Sequence, residues 1–287
     1  MNAEAEGRAA AERFRLEHRL GVQPLGDLVA LIEQTTGVDV AILDVGPDEH
    51  GLAMRDPARG AVFIGVARTR RPMRQRSTLA HELGHVRFED WTSNGVSDWS
   101  ERKPAEIRAD AFARHLLVPL DGLREFLQPP TAVTQADLSA VVQRFLVSPA
   151  IAAIALYQAG YLEDGTKSEW MSVTTPRLAG RFGWSDQYYA LQADSDRRRA
   201  PQRLLARAIR GYTEGVLSAQ AIATLRGLTL ETAEAELREA GIEPFEHPIG
   251  WTASTDLPEV RVDIQELDAD LGALEDGQPT ASEKDPR

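Results

Sequence analysis

Two histidines four residues apart in one helical run constrain the fold of this chain more than any other feature. The run "RSTLAHELGHVRF" holds His81 and His85, and helical geometry places their side chains about 40° apart around the axis. Leu79, Leu83 and Val86 lie on roughly the opposite side. A helix with this pattern buries one face in a core and presents both imidazoles on the other, so both rings can reach a single ion.

Glu82 and Gly84 lie between the two histidines. Glu82 is about 100° around the helix from His81, beside the face that carries the imidazoles. That position suits a base acting on a metal-bound water better than it suits a third ligand. Gly84 weakens a helix by about 1 kcal/mol relative to alanine, so we expect a neighbouring backbone to approach closely there. His-Glu-x-x-His is the signature of zinc metallopeptidases, and the alternative is a helix with two surface histidines.

A catalytic zinc ion takes three protein ligands and keeps one position open. The segment "HELGHVRFEDW" contains no third histidine, so the third ligand is expected to be a carboxylate from a second helix. Glu106, in "AEIRADAFARHLL", is the best candidate. It lies at the edge of an apolar face, where an unpaired carboxylate is unfavourable, so we expect it near the core rather than in bulk water. The residues of that face are Ala105, Ala109, Phe112, Ala113 and Leu116.

Asp110 follows Glu106 by about one helical turn and lies about 40° from it. It can therefore face the same site and accept the N–H of a ligating imidazole, which fixes the tautomer of that ring. A solvated acidic helix is the alternative. His115 lies about 180° from Glu106 on the same helix, and we expect it at the surface, pointing away from the ion. The other histidines lie in polar or turn contexts and predict no ligand: His18, His50 and His247.

The segments before the histidine helix predict an α+β fold. Helices are expected at 3–20 and 24–37, where apolar residues recur at helical spacing. Three short apolar segments separated by turn residues, at 38–45, 51–56 and 61–67, predict the strands of a small antiparallel sheet. We expect this sheet to pack on the histidine helix and on the second ligand helix.

The pattern predicts a mainly helical C-terminal region. The expected helices lie at 101–119, 121–127, 134–146, 149–159 and 198–240. The segment 165–195 is mixed in composition and gives no assignment. We predict a zinc metallopeptidase domain, a helical extension, a helical recognition or regulatory domain and an acidic, disordered tail. Their predicted bounds are 1–128, 129–165, 166–249 and 250–287.

Two stretches, 135–162 and 215–242, have the rhythm of a helix-turn-helix unit. Their second helices are poor in lysine and arginine, whereas a DNA-reading helix carries residues that contact bases and phosphates. We therefore favour protein recognition or core packing over DNA binding. Five arginines at 67–76 form a patch that could bind an acidic substrate segment or nucleic acid, and solvated surface arginines are the alternative.

Composition excludes several classes of protein. The formal net charge of −12 argues against a general binder of polyanions. The absence of cysteine excludes disulfides and thiolate metal sites. The polar N-terminus is unlike a secretory leader, and no apolar stretch reaches the roughly 18 to 20 residues of a membrane span, so we expect a cytoplasmic protein without a membrane segment.

The two helical motifs together resemble the ImmA/IrrE family of metallopeptidases. Its members show Thr-Leu-Ala-His-Glu-Leu-Gly-His and then Glu-x-x-Ala-Asn-x-Phe-Ala-x-x-Leu-Leu-x-Pro. The segments "TLAHELGH" and "EIRADAFARHLLVP" match these motifs, and the likeness covers about residues 25–120. The resemblance implies one zinc ion bound by His81, His85 and Glu106, with Glu82 as the catalytic acid and base.

Asp110 is a departure, because the family usually has asparagine there, although either side chain accepts an imidazole N–H. Family members are bacterial or phage proteins that cleave a specific transcriptional repressor. The resemblance thus implies regulated proteolysis, as in a stress response, with a co-encoded helix-turn-helix repressor as the partner. The leading hypothesis is a cytoplasmic zinc endopeptidase. The alternative is a transcription regulator or sensor that uses the same fold and the helical C-terminal half to bind DNA or protein without proteolysis.

Hydrolysis of a peptide bond usually needs a second donor beside the metal to stabilise the oxyanion. The candidate hydroxyls are those of Tyr157, Tyr161, Tyr188 and Tyr189. The sequence does not choose among them, and we name Tyr157 as the possible donor. For each of the four, a tyrosine of the core or of the surface is the alternative. Oligomeric state is not predicted.

Overall fold

The computed structural model describes residues 2–46, 51–91, 104–127 and 133–245. The first elements are α1 (Ala3–Glu17), α2 (Leu28–Thr36), β1 (Asp39–Leu43), β2 (Gly51–Arg55), β3 (Val62–Ala67), α3 (Pro72–Phe88) and α4 (Pro104–Leu117). The later ones are α5 (Leu120–Phe126), α6 (Gln135–Phe145), α7 (Pro149–Gln158), α8 (Asp164–Met171), α9 (Thr175–Phe182), α10 (Ser185–Ser195), α11 (Gln202–Thr213), α12 (Ala219–Arg226) and α13 (Leu230–Glu239). This order confirms the α+β fold and the mainly helical C-terminal region.

The small sheet is mixed, so the predicted antiparallel sheet is wrong for one strand. The strand order is β1-β3-β2, in which β1 pairs with β3 in parallel and β2 pairs with β3 in antiparallel fashion. The physical reason is burial. The apolar β3, "VFIGVA", takes the centre, and the largely exposed β2 takes an edge, so β1 pairs with β3 from the other side instead of with its sequence neighbour.

One face of the sheet supports α3, the helix that carries His81 and His85. Val40, Ile42, Ile64 and Val66 alternate along β1 and β3 and are almost fully buried in the main core. Helix α3 packs against β2 and β3 from this side. At the outer edge of β1, Ile42 exchanges two backbone hydrogen bonds with Arg199, of 2.9 and 3.1 Å, so a later segment of the chain closes that edge.

Two glycines let three helices approach closely. A Cβ on Gly84 of α3 would lie 3.1 Å from the Cα of Ala109 on α4, which confirms the predicted close approach of a backbone. A Cβ on Gly7 of α1 would overlap the carbonyl oxygen of Arg108 and lie 2.7 Å from the Cβ of Ala111, both on α4. Helix α4 is therefore held between α1 and α3.

His115 is buried, and the prediction that it lies at the surface is wrong. Only 4% of the residue is exposed, because α1 packs over this side of α4. Its Nε2 lies 3.6 Å from Oε1 of Glu4, whose carboxylate also accepts hydrogen bonds from Arg114. Burial, reinforced by the charge of Arg114, lowers the pKa of His115 to about 4.

The unassigned segment 165–195 is covered by the three short helices α8, α9 and α10. The main core runs along the chain from Ala10 to Tyr188. A second, smaller cluster joins α11, α12 and α13 through Ala208, Ile222 and Leu237. The bounds predicted at 128 and 165 stay predictions, and the predicted tail at 250–287 lies outside the described residues.

Helices α6 and α7, the first predicted helix-turn-helix segment, meet at an angle of 108°. Both helices contribute several residues to the main core. No single helix among the described residues is long and apolar enough to cross a membrane, although this bent pair reaches the required length and composition when its two helices are taken together.

Candidate metal centre

Three potential ligand atoms converge where α3 faces α4. His81, His85 and Glu106 each offer one ligand atom, and these atoms lie within 4.8 Å of one another. The two Nε2 atoms are 3.0 Å apart. Glu106 places Oε2 at 3.2 Å from Nε2 of His81 and Oε1 at 3.5 Å from Nε2 of His85. The structure thus brings together the three residues that the sequence singles out as metal ligands.

The two helices create this convergence through their packing. The four-residue spacing puts both imidazoles on one side of α3, while Leu79 and Leu83 on the other side are buried in the core. The close contact at Gly84 brings the backbone of α4 against α3 one turn from Glu106. A bulkier residue at 84 would separate the helices and move the carboxylate away from the rings.

Each imidazole has a carboxylate behind it. Nδ1 of His81 donates a hydrogen bond of 2.9 Å to Oδ1 of Asp110. Nδ1 of His85 lies 3.6 Å from Oδ2 of Asp90, just beyond hydrogen-bond length. Arg108 binds the same Asp90 carboxylate through its guanidinium, which holds Asp90 in place. Both rings therefore point their Nδ1 atoms at an acidic group and their Nε2 atoms at the common centre.

Asp90 is a residue of this centre that the sequence does not predict. Helix α3 ends at Phe88, and the next residue, Glu89, has left-handed backbone angles with φ of 55°. The chain turns back there, so the N–H of Asp90 donates a hydrogen bond of 2.9 Å to the carbonyl of His85. The only available signal was an acidic residue directly after the last turn of the histidine helix. The left-handed turn that carries it back to His85 was not evident, because Glu89 is not a residue type that favours it.

The donor set fits a divalent cation such as zinc. A carboxylate accepts only, so His81 carries its proton on Nδ1 and directs the Nε2 lone pair at the centre. Two imidazole nitrogens and one carboxylate form a ligand set used by catalytic zinc. Ligands at tetrahedral positions around zinc are roughly 3.4 Å apart, and the two Nε2 atoms are separated by 3.0 Å. Each ring nitrogen also has one of the two Glu106 carboxylate oxygens at a similar distance, Oε2 at 3.2 Å from His81 and Oε1 at 3.5 Å from His85.

The electrostatics of the two rings differ. Burial disfavours the charged form of His81, but the hydrogen bond and charge of Asp110, with the charges of Glu82 and Glu106, outweigh it and raise the pKa. Burial and the neighbouring charge of His81 lower the pKa of His85, and Glu106 and Asp90 oppose that shift only in part. A cation at the common centre would take the place of a proton shared between the two Nε2 atoms.

Glu82 lies beside the three converging residues and is buried. Only 8% of the residue is exposed, and burial raises the pKa of its carboxyl, with Glu106 adding to the rise. His81 and a hydrogen bond from the backbone N–H of Ala53 on β2 oppose the shift. A Cβ on Gly51, also on β2, would lie 2.6 Å from Oε1 of Glu82, so the glycine leaves the space that the carboxylate occupies.

Glu106 lies in a different environment from the one expected. About half of its side chain, 49%, is exposed, so the prediction that it lies near the core rather than in bulk water is wrong. The predicted apolar face of α4 is itself confirmed, since Ala109, Phe112, Ala113 and Leu116 are buried and Ala105 is partly buried. An exposed ligand leaves one side of the centre open to solvent, which suits a site that must admit a substrate.

The four candidate tyrosines lie in separate environments. Tyr157 is 41% exposed, and Nζ of Lys167 lies 4.4 Å from its ring centroid. Tyr188 is buried against Trp184, and Tyr189 is exposed. Within the described residues, no tyrosine makes a hydrogen bond or ring contact with the three converging residues. The assignment of Tyr157 as an oxyanion donor stays a prediction.

Comparison with known proteins finds a match to a family model. Residues 33–157 match the peptidase family model described as the IrrE N-terminal-like domain. The matched segment contains the sheet, α3 and α4, and thus every residue of the centre described above. No curated protein matches the chain significantly.

Proposed function

We propose that this protein is a zinc-dependent endopeptidase. The reason is that residues 33–157 belong to the IrrE N-terminal-like family of metallopeptidases. The observation that carries the proposal is the convergence of His81, His85 and Glu106, with a buried Glu82 beside them. The three converging residues would hold the ion, with Asp110 and Asp90 orienting the two rings. A bound zinc ion supplies a Lewis acid that polarises a carbonyl oxygen and acidifies water.

Glu82 is the residue that moves the proton. Its raised pKa brings the carboxyl closer to the working pH, so it can accept a proton from water at one stage and donate it to the leaving amine at the next. The N–H of Ala53 keeps the carboxylate oriented. The alternative of a regulator without proteolysis gives no reason for this carboxyl to be buried beside a ligand set.

The substrate chain would lie along β2. This strand is an edge of the described sheet, its backbone reaches Glu82 at Ala53, and most of its residues are exposed. An extended peptide can add to such an edge through main-chain hydrogen bonds. Leu52 and Met54, which are 51% and 47% exposed, would then contact alternate side chains of the peptide.

A regulatory protein is the substrate that the family resemblance supports, and a co-encoded helix-turn-helix repressor is the specific candidate. Cleavage of one specific segment of a repressor would require a restricted cleft. The exposed edge strand β2 beside the half-exposed Glu106 is consistent with such a cleft. The identity of this partner is tested by incubating the zinc-loaded protein with the product of the neighbouring gene and mapping any cut by mass spectrometry.

The function is tested with two substitutions. Glu82→Gln should keep the bound zinc and lower peptide cleavage by at least about 100-fold, because the general base is removed. Glu106→Ala should lose most of the zinc as well. Glu125→Gln on α5, an exposed carboxylate outside the centre, serves as the matched control. Wild-type cleavage rates in Glu82→Gln would contradict the proposal.

A further inference from the structure

The five arginines between residues 67 and 76 have two different roles. Arg68 forms an ion pair of 2.7 Å with Asp44 and a longer one with Asp196. Arg76 donates hydrogen bonds of 2.6 Å to the backbone carbonyls of Gly26 and Leu25. These two arginines join neighbouring segments and are accounted for by the fold.

The other three arginines are exposed. Arg70, Arg71 and Arg74 form what we call the arginine cluster, and in the described part of the chain none of them makes an ion pair. The chain has 44 acidic residues against 32 lysines and arginines, so an arginine has many possible carboxylate partners. These three arginines, which are close in sequence and form no ion pair among the described residues, are therefore available to an external ligand.

The backbone that carries the arginine cluster is fixed. Ser195, at the end of α10, accepts the N–H of Thr69 at 3.1 Å, and its hydroxyl donates to the Thr69 carbonyl at 2.7 Å. Gln192 donates to the carbonyl of Arg70 at 2.7 Å. The side chain of Gln75 donates to the carbonyls of Ala67 and Ser195. The backbone of the cluster is thus ordered before a ligand binds, so less conformational entropy is lost on binding.

Arg74, the member of the arginine cluster that lies within α3, is in line with the metal centre. Arg74 precedes His81 by seven residues, so the two side chains leave α3 only about 20° apart and about 10 Å apart along the axis. Thr78 and His85 continue the same line along the helix. The side of α3 that carries the imidazoles therefore begins with arginine.

We propose that the arginine cluster binds an acidic segment of the peptide substrate, roughly three residues from the bond that is cut. The inference rests on the proposed peptidase function. Ten ångströms along α3 correspond to about three residues of extended chain. Guanidinium groups bind carboxylates in a forked geometry, so an arginine cluster selects aspartate and glutamate side chains well.

A peptide fits better than nucleic acid. The protein carries a net charge of −12, which repels a long polyanion at range, whereas a peptide with a few acidic side chains is only weakly repelled. The adjoining strand β2 offers main-chain hydrogen bonds that suit a peptide.

The test is a binding measurement that does not depend on cleavage. The zinc-loaded Glu82→Gln protein is titrated, by fluorescence anisotropy at low salt, with a labelled dodecapeptide that carries three glutamates and with its counterpart that carries three glutamines. We expect about tenfold tighter binding of the acidic peptide, as three exposed ion pairs would give. Combining Arg70→Gln, Arg71→Gln and Arg74→Gln should bring the two affinities to within about twofold.

The matched control combines Arg13→Gln, Arg177→Gln and Arg207→Gln, three exposed arginines on other helices, which changes the net charge equally and should keep the preference. Equal affinity for both peptides, or a preference that survives loss of the cluster, would overturn the inference. Tighter, cluster-dependent binding of a short DNA oligonucleotide would overturn it in favour of a nucleic-acid site. If wild-type protein cuts no peptide while the preference holds, the peptidase proposal alone fails.

Discussion

Gly51 and Glu82 share one small space beneath β2. The nearest atoms to a Cβ at position 51 are Oε1 of Glu82 at 2.6 Å and Cγ2 of Thr78 at 2.7 Å. The first of these is the end of a flexible side chain, so an added methyl group would displace the carboxylate more readily than the backbone. The glycine thus acts as a positioning residue for the proposed base.

Gly51→Ala should lower peptide cleavage about 10- to 100-fold while leaving the zinc content and the free energy of unfolding almost unchanged, because a small shift of a catalytic group has a large kinetic effect. Steady-state kinetics and metal analysis check this. Gly46→Ala is the matched control, since a Cβ there meets no atom within 4 Å. Unaltered kinetics in Gly51→Ala would show that the added methyl group does not displace the Glu82 carboxylate.

His115 makes stability depend on pH. Its pKa is about 4 in the folded protein and 6.5 in a solvated chain, so only the unfolded state takes up this proton between those values. The associated stability is complete above pH 6.5 and is lost as the pH falls towards 4, and it amounts to roughly 3 kcal/mol in total.

Between pH 7 and pH 5, His115 should account for about 2 kcal/mol of lost unfolding free energy. Urea denaturation of wild type and of His115→Leu at both pH values measures this, and the variant should lose that part of the difference. His18→Leu, on the partly exposed end of α1, should retain it. An identical pH dependence in wild type and His115→Leu would refute the assignment.

Spacing along a helix predicted that His81 and His85 share one face, and that Glu106 and Asp110 share another, because helical geometry fixes directions over one or two turns. That the two faces meet was expected from the need of a catalytic zinc for a third protein ligand. The helical spacing predicted the wrong exposure for Glu106 and His115. Whether a residue beside an apolar face is covered depends on which other helix packs there. The contact between α1 and α4 that buries His115 joins segments about a hundred residues apart, and no local pattern contains it.

At the scale of elements, the position of α4 depends on its contact with α1. Gly7 allows that contact, since a Cβ there would overlap the backbone of α4 at Arg108 and lie 2.9 Å from the backbone nitrogen of Phe112. Unlike the neighbour of Gly51, these atoms are backbone and cannot yield by a side-chain rotation. The helices would have to separate.

Gly7→Ala should therefore destabilise the protein by about 1 to 3 kcal/mol, even though alanine favours helix by about 1 kcal/mol. Gly180→Ala on α9, where a Cβ meets no atom within 4 Å, should instead stabilise it by up to about 1 kcal/mol. Chemical denaturation of both variants compares the two effects. A stabilising Gly7→Ala would mean that α1 and α4 are not closely packed.

Local patterns predicted the existence of most elements and missed one pairing. The strands and helices up to α7 begin and end within a few residues of their expected bounds, because turn residues and apolar periodicity mark them clearly. The parallel pairing of β1 was not evident, since it depends on which strand takes the buried centre. The helices at 164–195 are short and give too few turns for a periodic signal.

At the scale of the whole molecule, the proposed ligands join two helices of one continuous core. Because that core extends from Ala10 to Tyr188, an ion held between α3 and α4 should stabilise the whole region that shares the core, and not only the residues around the ion. At a free zinc concentration 100 times the dissociation constant, the gain is about 2.7 kcal/mol.

Zinc should thus raise the Tm of the apo protein by roughly 5 to 10 °C, measured by differential scanning calorimetry at pH 7. Glu106→Gln should show less than half of this rise, whereas Glu125→Gln should show all of it. If zinc does not change the Tm of the wild type, or raises the Tm of Glu106→Gln equally, the result would argue against an ion bound between α3 and α4.

The bridge between Ile42 and Arg199 has a consequence for how a peptide can be aligned. It closes the β1 side of the sheet, so among the described strands β2 alone can accept another strand. Side chains along a strand alternate, and a shift by one residue would turn every side chain of the guest to the opposite face. The allowed alignments therefore differ by two residues, so the proposed peptidase would present only every second peptide bond of a bound sequence to the metal centre.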